Sequence, residues 1–304
     1  MRGPKRLQDE TMLDLDFQDR LAALRPKLHR YCARMTGSVL DGEDVVQDAL
    51  LKATRALERG DTVTDLETWL FRIAHNAAVD FVRRRARANA GRADDDPELF
   101  SDPDEPVDDP AIVEAGLQTF MRLPAPQRAA VILMDVLGYR LQEICGILGV
   151  SLPAVKSSLH RGRARLRELA REFDERPQPA LAAREQALLA AYVERFNARD
   201  FDAVRAMLAD EATLDLVGRE RREGKQRVAL YFDNYASIDD WELVVGTIEG
   251  RPAVIVRDRR APARAPMYFV LLVWEGDRLS LIRDFRYARY VMGDAEIALA
   301  EPLG

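Results

Sequence analysis

Residues 152–169 carry the side chains whose types and spacing are best suited to chemistry in this sequence. At 100° per residue, Val155, Leu159 and Leu166 fall on one side of a helix, which leaves the opposite side polar. That side is basic and bears a hydroxyl group, a combination suited to phosphates and base edges in a DNA major groove. The alternative is a solvated, arginine-rich helix in an all-α bundle. The residues predicted to bind DNA are Lys156, Ser157, His160, Arg161, Arg163 and Arg165.

The residues before this helix predict a second helix packed beside it. Arg140–Leu148 has the spacing of a short amphipathic helix, and residues 149–151 (GVS) form a tight turn. Ser151 is suited to cap the following helix, and Pro153 is tolerated in a first helical turn. Two helices joined by a short turn that contains glycine form a helix-turn-helix, so the segment predicts a DNA-binding motif.

A second group of candidate residues lies near the C-terminus. A carboxylate in apolar surroundings, as expected for Asp284, has a raised pKa and is suited to act as a general base. The alternative is a strand-end aspartate paired with Arg283 or Arg286. Since no His–Asp pair or nucleophile supports catalysis, no catalytic residue is predicted and the chain is not expected to be an enzyme. The candidate pocket residues are Asp215, Tyr231, Trp241 and Asp284.

The cysteines give no sign of metal chemistry. Cys32 and Cys145 stand far apart, and the sequence contains no CxxC motif and no Cys/His cluster. A metal site is therefore not expected, and no cofactor is predicted.

Composition and charge narrow the class of protein. Of the 304 residues, 47% are apolar and 32% are charged, which is typical of a globular protein. No stretch approaches the roughly 18 apolar residues of a membrane span, and the N-terminus has no apolar signal segment, so we expect a cytoplasmic protein without a membrane partner. The net charge of −6 argues against a protein that coats DNA unaided. Local basic clusters instead favour a protein that needs a partner to bind DNA tightly.

Two breaks divide the chain. Residues 89–110 hold four prolines and nine carboxylates against a single arginine, Arg92, which predicts a flexible acidic linker. Residues 173–180 form a shorter break with two prolines. The segments that remain are 12–88, 111–172 and 181–304.

The first two segments are predicted to be wholly helical. Thr64 and Glu67 fit a capping box at the start of one helix. Arginines 83–85 stand at its end, where cations suit the helix dipole. The predicted helices of the first segment are Leu21–Met35, Val45–Leu57 and Leu66–Val82.

The third segment changes from helices to strands. Helices are predicted near 183–197 and 201–208, and Glu275-Gly276-Asp277 is typical of a hairpin turn. Helices followed by strands predict an α+β domain with an antiparallel sheet. The predicted strands are Trp241–Ile248, Ala253–Arg257, Pro266–Trp274 and Leu279–Tyr290.

Several of these stretches together resemble one family. Residues 17–90 with 111–172 resemble the extracytoplasmic-function sigma factors, the two-domain group of the bacterial sigma family. The resemblance is carried by LDGEDVVQDALLKATRAL at 40–57, LETWLFRIAHNAAVDFVRRR at 66–85, and residues 123–169 with the helix-turn-helix. It implies a protein that binds core RNA polymerase and promoter DNA to direct transcription initiation.

The resemblance implies a role for each helical surface. One helix is expected to dock on polymerase, the next to handle the minus-ten promoter element, and residues 152–169 to read the minus-thirty-five element. The acidic linker is expected to thread through the polymerase cleft. The alternatives are ordinary amphipathic helices with solvated faces and a plain spacer. The docking residues are Asp44, Gln47, Asp48, Leu51 and Arg55, and the minus-ten residues are Arg72, Asn76, Asp80, Arg83 and Arg84.

Residues 181–304 resemble the SnoaL-like members of the nuclear-transport-factor-two-like superfamily. That fold is a cone with an apolar pocket, and it hosts both enzymes and non-enzymatic domains. In sigma factors that carry such an extension it is thought to modulate activity, so a regulatory domain is expected here, with an unknown small ligand as a candidate occupant. The linker reads DERPQPA and one loop reads VGRERREGKQ, unlike the WLPEP and DGGGK motifs of one branch. Contacts of those motifs are therefore not transferred.

The expected architecture is two all-α domains, the second with a helix-turn-helix, followed by an α+β SnoaL-like cone. Two other functions remain compatible with the sequence. One is a helix-turn-helix repressor or activator whose C-terminal domain senses a metabolite, which leaves residues 40–85 unexplained. The other is a SnoaL-like isomerase or hydrolase with a DNA-binding appendage. The sequence does not indicate the target promoters or the inducing signal.

Overall fold

The computed structural model describes residues 4–88, 115–169, 183–261 and 265–300. The chain forms two compact units, Met1–Glu175 and Arg176–Gly304. The predicted linker at 89–110 and the predicted break at 173–180 lie outside the described residues. Across the described ranges, no helix combines the length and apolar character needed to cross a bilayer.

The first unit begins with three long helices where the apolar spacing predicted helices, but the first two begin earlier than the predicted Leu21 and Val45. They are α1 (Pro4–Thr36), α2 (Val39–Glu58) and α3 (Leu66–Ala88). Gly37 ends α1 with a φ of 77°, in the left-handed region that glycine enters without steric cost. The Ser38 hydroxyl then caps α2, since its oxygen accepts the Asp41 N–H at 3.1 Å.

The start of α3 differs from the predicted capping box. The cap is Asp65 and not Thr64, because the Asp65 carboxylate accepts the N–H of Thr68 at 3.2 Å and its hydroxyl at 2.6 Å. These bonds lower the pKa of Asp65. The Glu67 carboxylate instead accepts the Lys27 ammonium at 2.6 Å. Lys27 of α1 therefore binds the carboxylate that the predicted capping box required, so this carboxylate does not cap α3.

The chain continues in a second set of helices, which contains the predicted helix-turn-helix. These helices are α4 (Leu117–Met121), α5 (Ala125–Val131), α6 (Leu141–Leu148) and α7 (Leu152–Leu169), and α5 runs on through a π-helical turn at Ile132–Val136. Gly149 ends α6 with a φ of 69°, which lets the chain turn tightly into α7. The helix-turn-helix prediction is confirmed.

Both sets of helices share one hydrophobic core. Leu28 and Met35 of α1 are fully buried and belong to the same cluster as Phe71 of α3 and Phe120 of α4. Burying apolar side chains of this size contributes about 1.5–3 kcal/mol each. The two helical modules that the sequence predicts therefore pack against each other within the first unit.

A buried arginine joins the two sets of helices. Arg128 of α5 is 4% exposed, and its guanidinium donates to the main-chain carbonyls of Met35 at 2.5 Å and Leu123 at 2.8 Å. Burial lowers the pKa of Arg128 to about 10. The Gln118 side-chain amide donates to the Gly37 carbonyl at 2.6 Å. Carbonyls at the end of α1 thus accept hydrogen bonds from α4 and α5.

A buried ion pair fixes α7 to the π-helical turn that ends α5. The Arg163 guanidinium donates to both oxygens of Asp135, at 2.9 and 2.6 Å, and the two side chains are 2% and 0% exposed. Such a two-pronged pair fixes orientation as well as distance. At the neighbouring Gly162, a Cβ would lie 2.7 Å from Val131 Cγ2, so α7 approaches α5 more closely than a side chain would allow.

The second unit has the predicted α+β layout, with a mixed sheet. Helices α8 (Ala183–Asn197) and α9 (Phe201–Ala206) come first, and α10 (Lys225–Ala229) and α11 (Tyr231–Ala236) lie between two strands. The strands are β1 (Leu208–Leu216), β2 (Glu220–Glu223), β3 (Trp241–Ile248), β4 (Arg251–Asp258), β5 (Pro266–Glu275), β6 (Arg278–Asp284) and β7 (Ile297–Leu299). Their spatial order is β2-β1-β6-β5-β4-β3-β7. Because β1 pairs with β6 in parallel, the expectation of an antiparallel sheet was wrong for that pair.

The strand predictions agree with β3, β4 and β5, but they miss β1 and β2 and extend the last strand too far. The hairpin turn at residues 275–277 joins antiparallel β5 and β6. The predicted strand Leu279–Tyr290 is too long, because β6 ends at Asp284 and Arg289–Gly293 forms a 3-10 turn. β1 and β2 were missed, since exposed charged residues interrupt their alternation.

Removing one partner of the Asp135–Arg163 pair should destabilise the first unit. Asp135→Ala leaves a buried guanidinium without its carboxylate, and the expected loss is about 3–5 kcal/mol. The measurement is urea denaturation followed by helical circular dichroism.

Two further variants make this prediction specific. The double variant Asp135→Leu with Arg163→Met should lose less stability than Asp135→Ala, because no buried charge remains. Arg167→Ala, which removes an exposed arginine of the same helix, should stay within about 0.5 kcal/mol of wild type. Equal losses for Asp135→Ala and Arg167→Ala would contradict the assigned role of the pair.

Candidate nucleic-acid interface

The polar face of α7 reaches the surface along most of the helix. His160 and Arg165 are exposed, and three more of the predicted residues are half-buried: Lys156, Ser157 and Arg161. Their charges and hydroxyl group lie opposite the buried stripe of the helix, which includes Val155, Leu159 and Leu166. This face is suited to contacts with phosphates and base edges.

Arg163 corrects one of the predicted DNA contacts. Its side chain is 2% exposed and is held by Asp135, as described above, so it does not face solvent on α7. The helical angle placed Arg163 on the flank of the basic face. No pattern in the sequence indicated that Asp135, in a π-helical turn, would draw Arg163 into the interior.

The predicted polymerase-docking residues lie on the outer face of α2. Asp44 and Arg55 are exposed, Gln47 and Asp48 are half-buried, and Leu51 is 57% exposed in their midst. This exposed leucine therefore stands among charged and polar side chains on the surface of α2.

A cleft of about 480 Å³ lies between α2 and α3. It brings Asp48 of the predicted docking helix beside Asp80, Arg83 and Arg84 of the predicted minus-ten helix. The sequence interpretation missed Lys52 and Arg87, which also line it. Lys52 pairs with Asp48 at 2.7 Å, one turn along α2, and that spacing was visible in the sequence.

Arg72 and Asn76, the remaining minus-ten candidates, are exposed on α3. The Arg72 guanidinium donates two hydrogen bonds to the Gly146 carbonyl of α6, at 3.2 and 2.6 Å from its two nitrogens. Arg72 therefore contacts the first helix of the helix-turn-helix in this arrangement, a pairing that sequence spacing could not reveal.

Next to these residues, His75 is largely buried. Its Nδ1 lies 2.7 Å from the Tyr31 hydroxyl. Burial, with a smaller effect from the charge of Arg83, lowers the pKa of His75 to about 4. His75 is therefore neutral at neutral pH and does not add to the positive charge of α3.

In the second unit, Asp284 is fully buried at the end of β6. One carboxylate oxygen accepts the hydroxyls of Tyr231 at 2.7 Å and Tyr235 at 3.1 Å, and the other accepts the Arg286 N–H at 2.8 Å. The Tyr235 hydroxyl lies 3.0 Å from that of Tyr268. Burial raises the pKa of Asp284, against the lowering effect of the Tyr231 hydrogen bond. Neither arginine side chain that the sequence offered as a partner donates to this carboxylate among the contacts described.

Aromatic side chains fill the space around this carboxylate. Phe196 packs edge-on against Tyr235 and Trp241, with ring centres 5.1 and 5.0 Å apart, and all three rings are at most 3% exposed. The Arg286 guanidinium lies 4.9 Å from the centre of the Tyr235 ring. Trp241 and Tyr231 thus belong to the buried interior that surrounds Asp284, where the sequence interpretation placed them as the lining of a pocket.

Asp215 does not belong to this interior. Its carboxylate accepts the Arg283 guanidinium at 3.1 Å, and both side chains are partly exposed, at 18% and 16%. Side chains alternate between the two faces of a strand, so the partner of Arg283 and the partners of Asp284 lie on opposite faces of the sheet. The grouping of Asp215 with Asp284 was therefore wrong. Among the described residues, no three His, Cys, Asp or Glu side chains are grouped to hold a metal ion.

Comparison with known proteins gives two family matches and several relatives. The model named Sigma-70 region 2 matches residues 21–88, and the model named Sigma-70, region 4 matches residues 117–166. The RNA polymerase sigma factor CarQ of Myxococcus xanthus is 33% identical, over 52% of this chain and 91% of its own length. The sigma factor SigG of Mycobacterium tuberculosis is 29% identical, over 89% of this chain and 81% of its own. An NTF2-like protein from Cytophaga hutchinsonii has a structure that aligns with a TM-score of 0.26 and 17% identity, over 33% of this chain and 96% of its own.

The enclosed carboxylate predicts a pH dependence of stability. An acid whose folded pKa is raised stabilises the fold fully below its unfolded pKa, at about 4, and loses that contribution as pH rises toward the folded value. Asp284→Asn removes this loss, so its free energy of unfolding should gain on wild type as pH rises from about 4 to about 7. Urea denaturation at several pH values measures the difference.

A second substitution separates charge from hydrogen bonding. Asp284→Ala should share the flatter pH profile of Asp284→Asn but should be less stable by about 1–3 kcal/mol, because two buried tyrosine hydroxyls lose their acceptor. Parallel profiles for wild type and Asp284→Asn would show that ionisation of Asp284 is not coupled to folding.

Proposed function

Because this chain belongs to the extracytoplasmic-function sigma factors of the bacterial sigma family, we propose that three surfaces of its first unit divide the task of initiation and that its C-terminal unit modulates it. The chain binds core RNA polymerase and promoter DNA and directs transcription initiation. The observation that carries the division of tasks is a basic-faced helix-turn-helix combined with a separate exposed face on α2. We further propose that the protein works in the cytoplasm, where bacterial polymerase and promoters are found.

The outer face of α2 is the proposed polymerase-docking surface. It offers Asp44, Gln47, Asp48 and Arg55 around the exposed Leu51. Charged groups at the rim of such a surface steer the encounter, whereas the apolar centre holds the complex once it has formed. The alternative is an ordinary solvated amphipathic face, on which a single exposed leucine is common.

α3 and α7 are the proposed DNA-binding helices for the minus-ten and minus-thirty-five elements. Elements about 25 base pairs apart are separated by roughly 85 Å of duplex at 3.4 Å per pair. A compact unit of this length has a diameter of roughly 40 Å. The two sets of helices must therefore separate when both elements are bound. Arg72 must also release the Gly146 carbonyl before it can hold DNA.

The C-terminal unit is proposed to act as a regulatory domain without catalysis of its own. The burial of Asp284 and its hydrogen bond with Tyr231 favour regulation through the outer surface of the unit over a small ligand bound to this carboxylate. The same enclosure disfavours the isomerase or hydrolase alternative, because a general base needs contact with its substrate.

Removing two carboxylates from α2 should weaken polymerase binding. The double variant Asp44→Ala with Asp48→Ala loses two charges on the docking face and should bind core polymerase roughly 3- to 30-fold less tightly. The measurement is a titration of labelled full-length protein with core RNA polymerase at fixed ionic strength.

The matched control removes two carboxylates elsewhere. Asp210→Ala with Glu211→Ala changes the net charge equally, on exposed positions of β1, and should bind polymerase as wild type does. Unchanged affinity of the α2 variant, or an equal loss in the control, would contradict the proposed docking surface.

Deleting the C-terminal unit should change the output of transcription. A chain that ends at residue 180 keeps the core of the first unit, and its run-off transcript yield at saturating core polymerase should differ from full length by roughly fivefold or more. The direction depends on which state of the first unit the C-terminal unit favours. Polymerase affinity and helical content of the shortened chain are measured alongside, and equal yields from both chains would refute a regulatory role.

A further inference from the structure

Besides Arg128, a second polar contact joins the two sets of helices. Lys27 of α1 and Glu67 of α3 belong to the first set, whereas Tyr139 lies in the segment that leads into α6. The Tyr139 hydroxyl donates to a Glu67 carboxylate oxygen, and the Lys27 ammonium donates to the same oxygen at 2.6 Å. These three residues are called the Glu67 cluster. A single carboxylate oxygen thus connects α1 and α3 with the start of the helix-turn-helix.

The packing of the Tyr139 ring directs its hydroxyl toward Glu67. The ring centre lies 4.0 Å from the Lys27 ammonium nitrogen and 5.2 Å from the centre of the Phe71 ring, with the two ring planes at 66°. Phe71 is fully buried and Tyr139 is 7% exposed. A cation over an aromatic face and an edge-to-face ring pair each favour one orientation of the ring. The hydroxyl group is therefore held in place by contacts that do not involve it.

Both groups keep the protonation state that this hydrogen bond needs. Burial acts to raise the pKa of Glu67, but the hydrogen bonds from Lys27 and Tyr139 outweigh it, so the pKa is lowered. Burial, followed by the bond to Glu67, raises the pKa of Tyr139. A protonated hydroxyl facing an ionised carboxylate forms a strong, charge-assisted hydrogen bond. Because 38% of the Glu67 side chain is exposed, water replaces Tyr139 as the donor when the two sets of helices separate.

The same side of α3 packs closely on α6. At Gly146, a Cβ would lie 3.4 Å from Cγ2 of Thr68, and the Gly146 carbonyl accepts the two hydrogen bonds from Arg72 described above. Thr68 and Arg72 lie one helical turn apart and therefore share a side of α3, and Glu67 directly precedes Thr68. In this arrangement α6 covers part of the helix that is proposed to bind the minus-ten element.

We propose that the Glu67 cluster holds the free chain in a closed state that does not start transcription, and that Tyr139 is a positioning residue that sets the fraction of open molecules. The proposal rests on the proposed division of tasks, in which α3 and α7 bind elements too far apart for the closed arrangement. Apparent affinity for ligands of the open state is proportional to the open fraction. Weakening a contact that exists only in the closed state therefore increases activity, whereas loss of a binding residue decreases it.

Tyr139→Phe tests the hydroxyl while it keeps the ring against Lys27 and Phe71. The measurement is run-off transcription with fixed core polymerase and increasing full-length chain, on a promoter that the wild type transcribes. The variant should reach half-maximal transcript at a roughly three- to tenfold lower concentration, the effect of one hydrogen bond to a partly exposed charged group. An unchanged or higher half-maximal concentration would overturn the proposal.

The matched control removes a tyrosine hydroxyl within the first set of helices. Tyr31 of α1 is fully buried, and its hydroxyl lies 2.7 Å from Nδ1 of His75 in α3. Tyr31→Phe should lower the free energy of unfolding, measured by urea denaturation, without lowering the half-maximal concentration. If Tyr31→Phe and Tyr139→Phe increased transcription equally, general loosening of the unit would be responsible and the proposal would fail.

A second variant tests whether the hydroxyl acts through the carboxylate. Glu67→Gln removes the charge that Tyr139 and Lys27 share and should also lower the half-maximal concentration. The double variant Glu67→Gln with Tyr139→Phe should gain no more than the larger of the two single effects, because both remove the same contact. Fully additive gains would show that the two side chains act separately, which contradicts the proposed cluster.

A disulfide that prevents opening tests the closed state itself. The 3.4 Å between the Gly146 Cβ position and the Thr68 side chain suits a disulfide, whose Cβ atoms lie roughly 3.5–4.5 Å apart. The double variant Thr68→Cys with Gly146→Cys, combined with Cys145→Ala to prevent mispairing, should give at least about tenfold less transcript when oxidised and should recover when reduced. Gly146→Cys with Cys145→Ala alone should respond equally to both conditions.

The outcomes separate this proposal from the one on which it rests. If the wild-type chain supports no run-off transcription with core polymerase, the proposed function itself fails. If the oxidised disulfide variant transcribes as well as the reduced one, the closed state is active and the proposal fails. If oxidation blocks transcription while Tyr139→Phe behaves as wild type, the two sets of helices must separate but the Glu67 cluster does not oppose their separation.

Discussion

The hydrogen bonds that Arg128 makes at the end of α1 are the contact on which the arrangement of the first unit depends. The last carbonyls of a helix lack partners within it and carry the negative end of its dipole. Arg128 brings a cation and several donors to that end and bonds the Met35 carbonyl at 2.5 Å, while Gln118 bonds the Gly37 carbonyl beside it. Separation of the two sets of helices would exchange these hydrogen bonds for bonds to water, at a net cost of about 1.5–3 kcal/mol for each bond to the charged group.

Because the two sets of helices pack together, some candidate side chains can contact a partner and others are already hydrogen-bonded within the unit. The outer face of α2 and the basic face of α7 stay exposed, whereas Arg72 of α3 is occupied by the Gly146 carbonyl. The apparent affinity for a ligand that binds only an open state is the intrinsic affinity multiplied by the fraction of molecules in that state. On the proposed division of tasks, binding to core polymerase supplies the free energy that separates the two sets of helices, and the exposed face of α2 is the surface proposed to make that contact.

Local signals in the sequence were enough to predict much of this fold. The period of apolar residues predicted where α1 to α3 lie but not where α1 and α2 begin, and the GVS turn predicted α7 with its bounds and α6 to within one residue. The errors come from contacts distant in sequence. Asp135 draws Arg163 inward across 28 residues, Lys27 takes Glu67 from its capping role across 40, and Asp215 turns to Arg283 across 68. Helical angle and strand alternation give the side on which a residue lies, but they do not reveal which distant charge will compete for it.

The net charge of the chain determines how weakly it binds DNA without a partner protein. With a net charge of −6, its cations act only where the fold gathers them, as on the basic face of α7. Four phosphate contacts give a salt slope near −3.6, so a fourfold rise in salt reduces affinity by about a hundredfold. DNA binding with so few phosphate contacts does not persist at physiological salt without a partner protein. Docking on polymerase converts DNA binding into an intramolecular step, in which a high effective concentration offsets the few contacts that each helix makes.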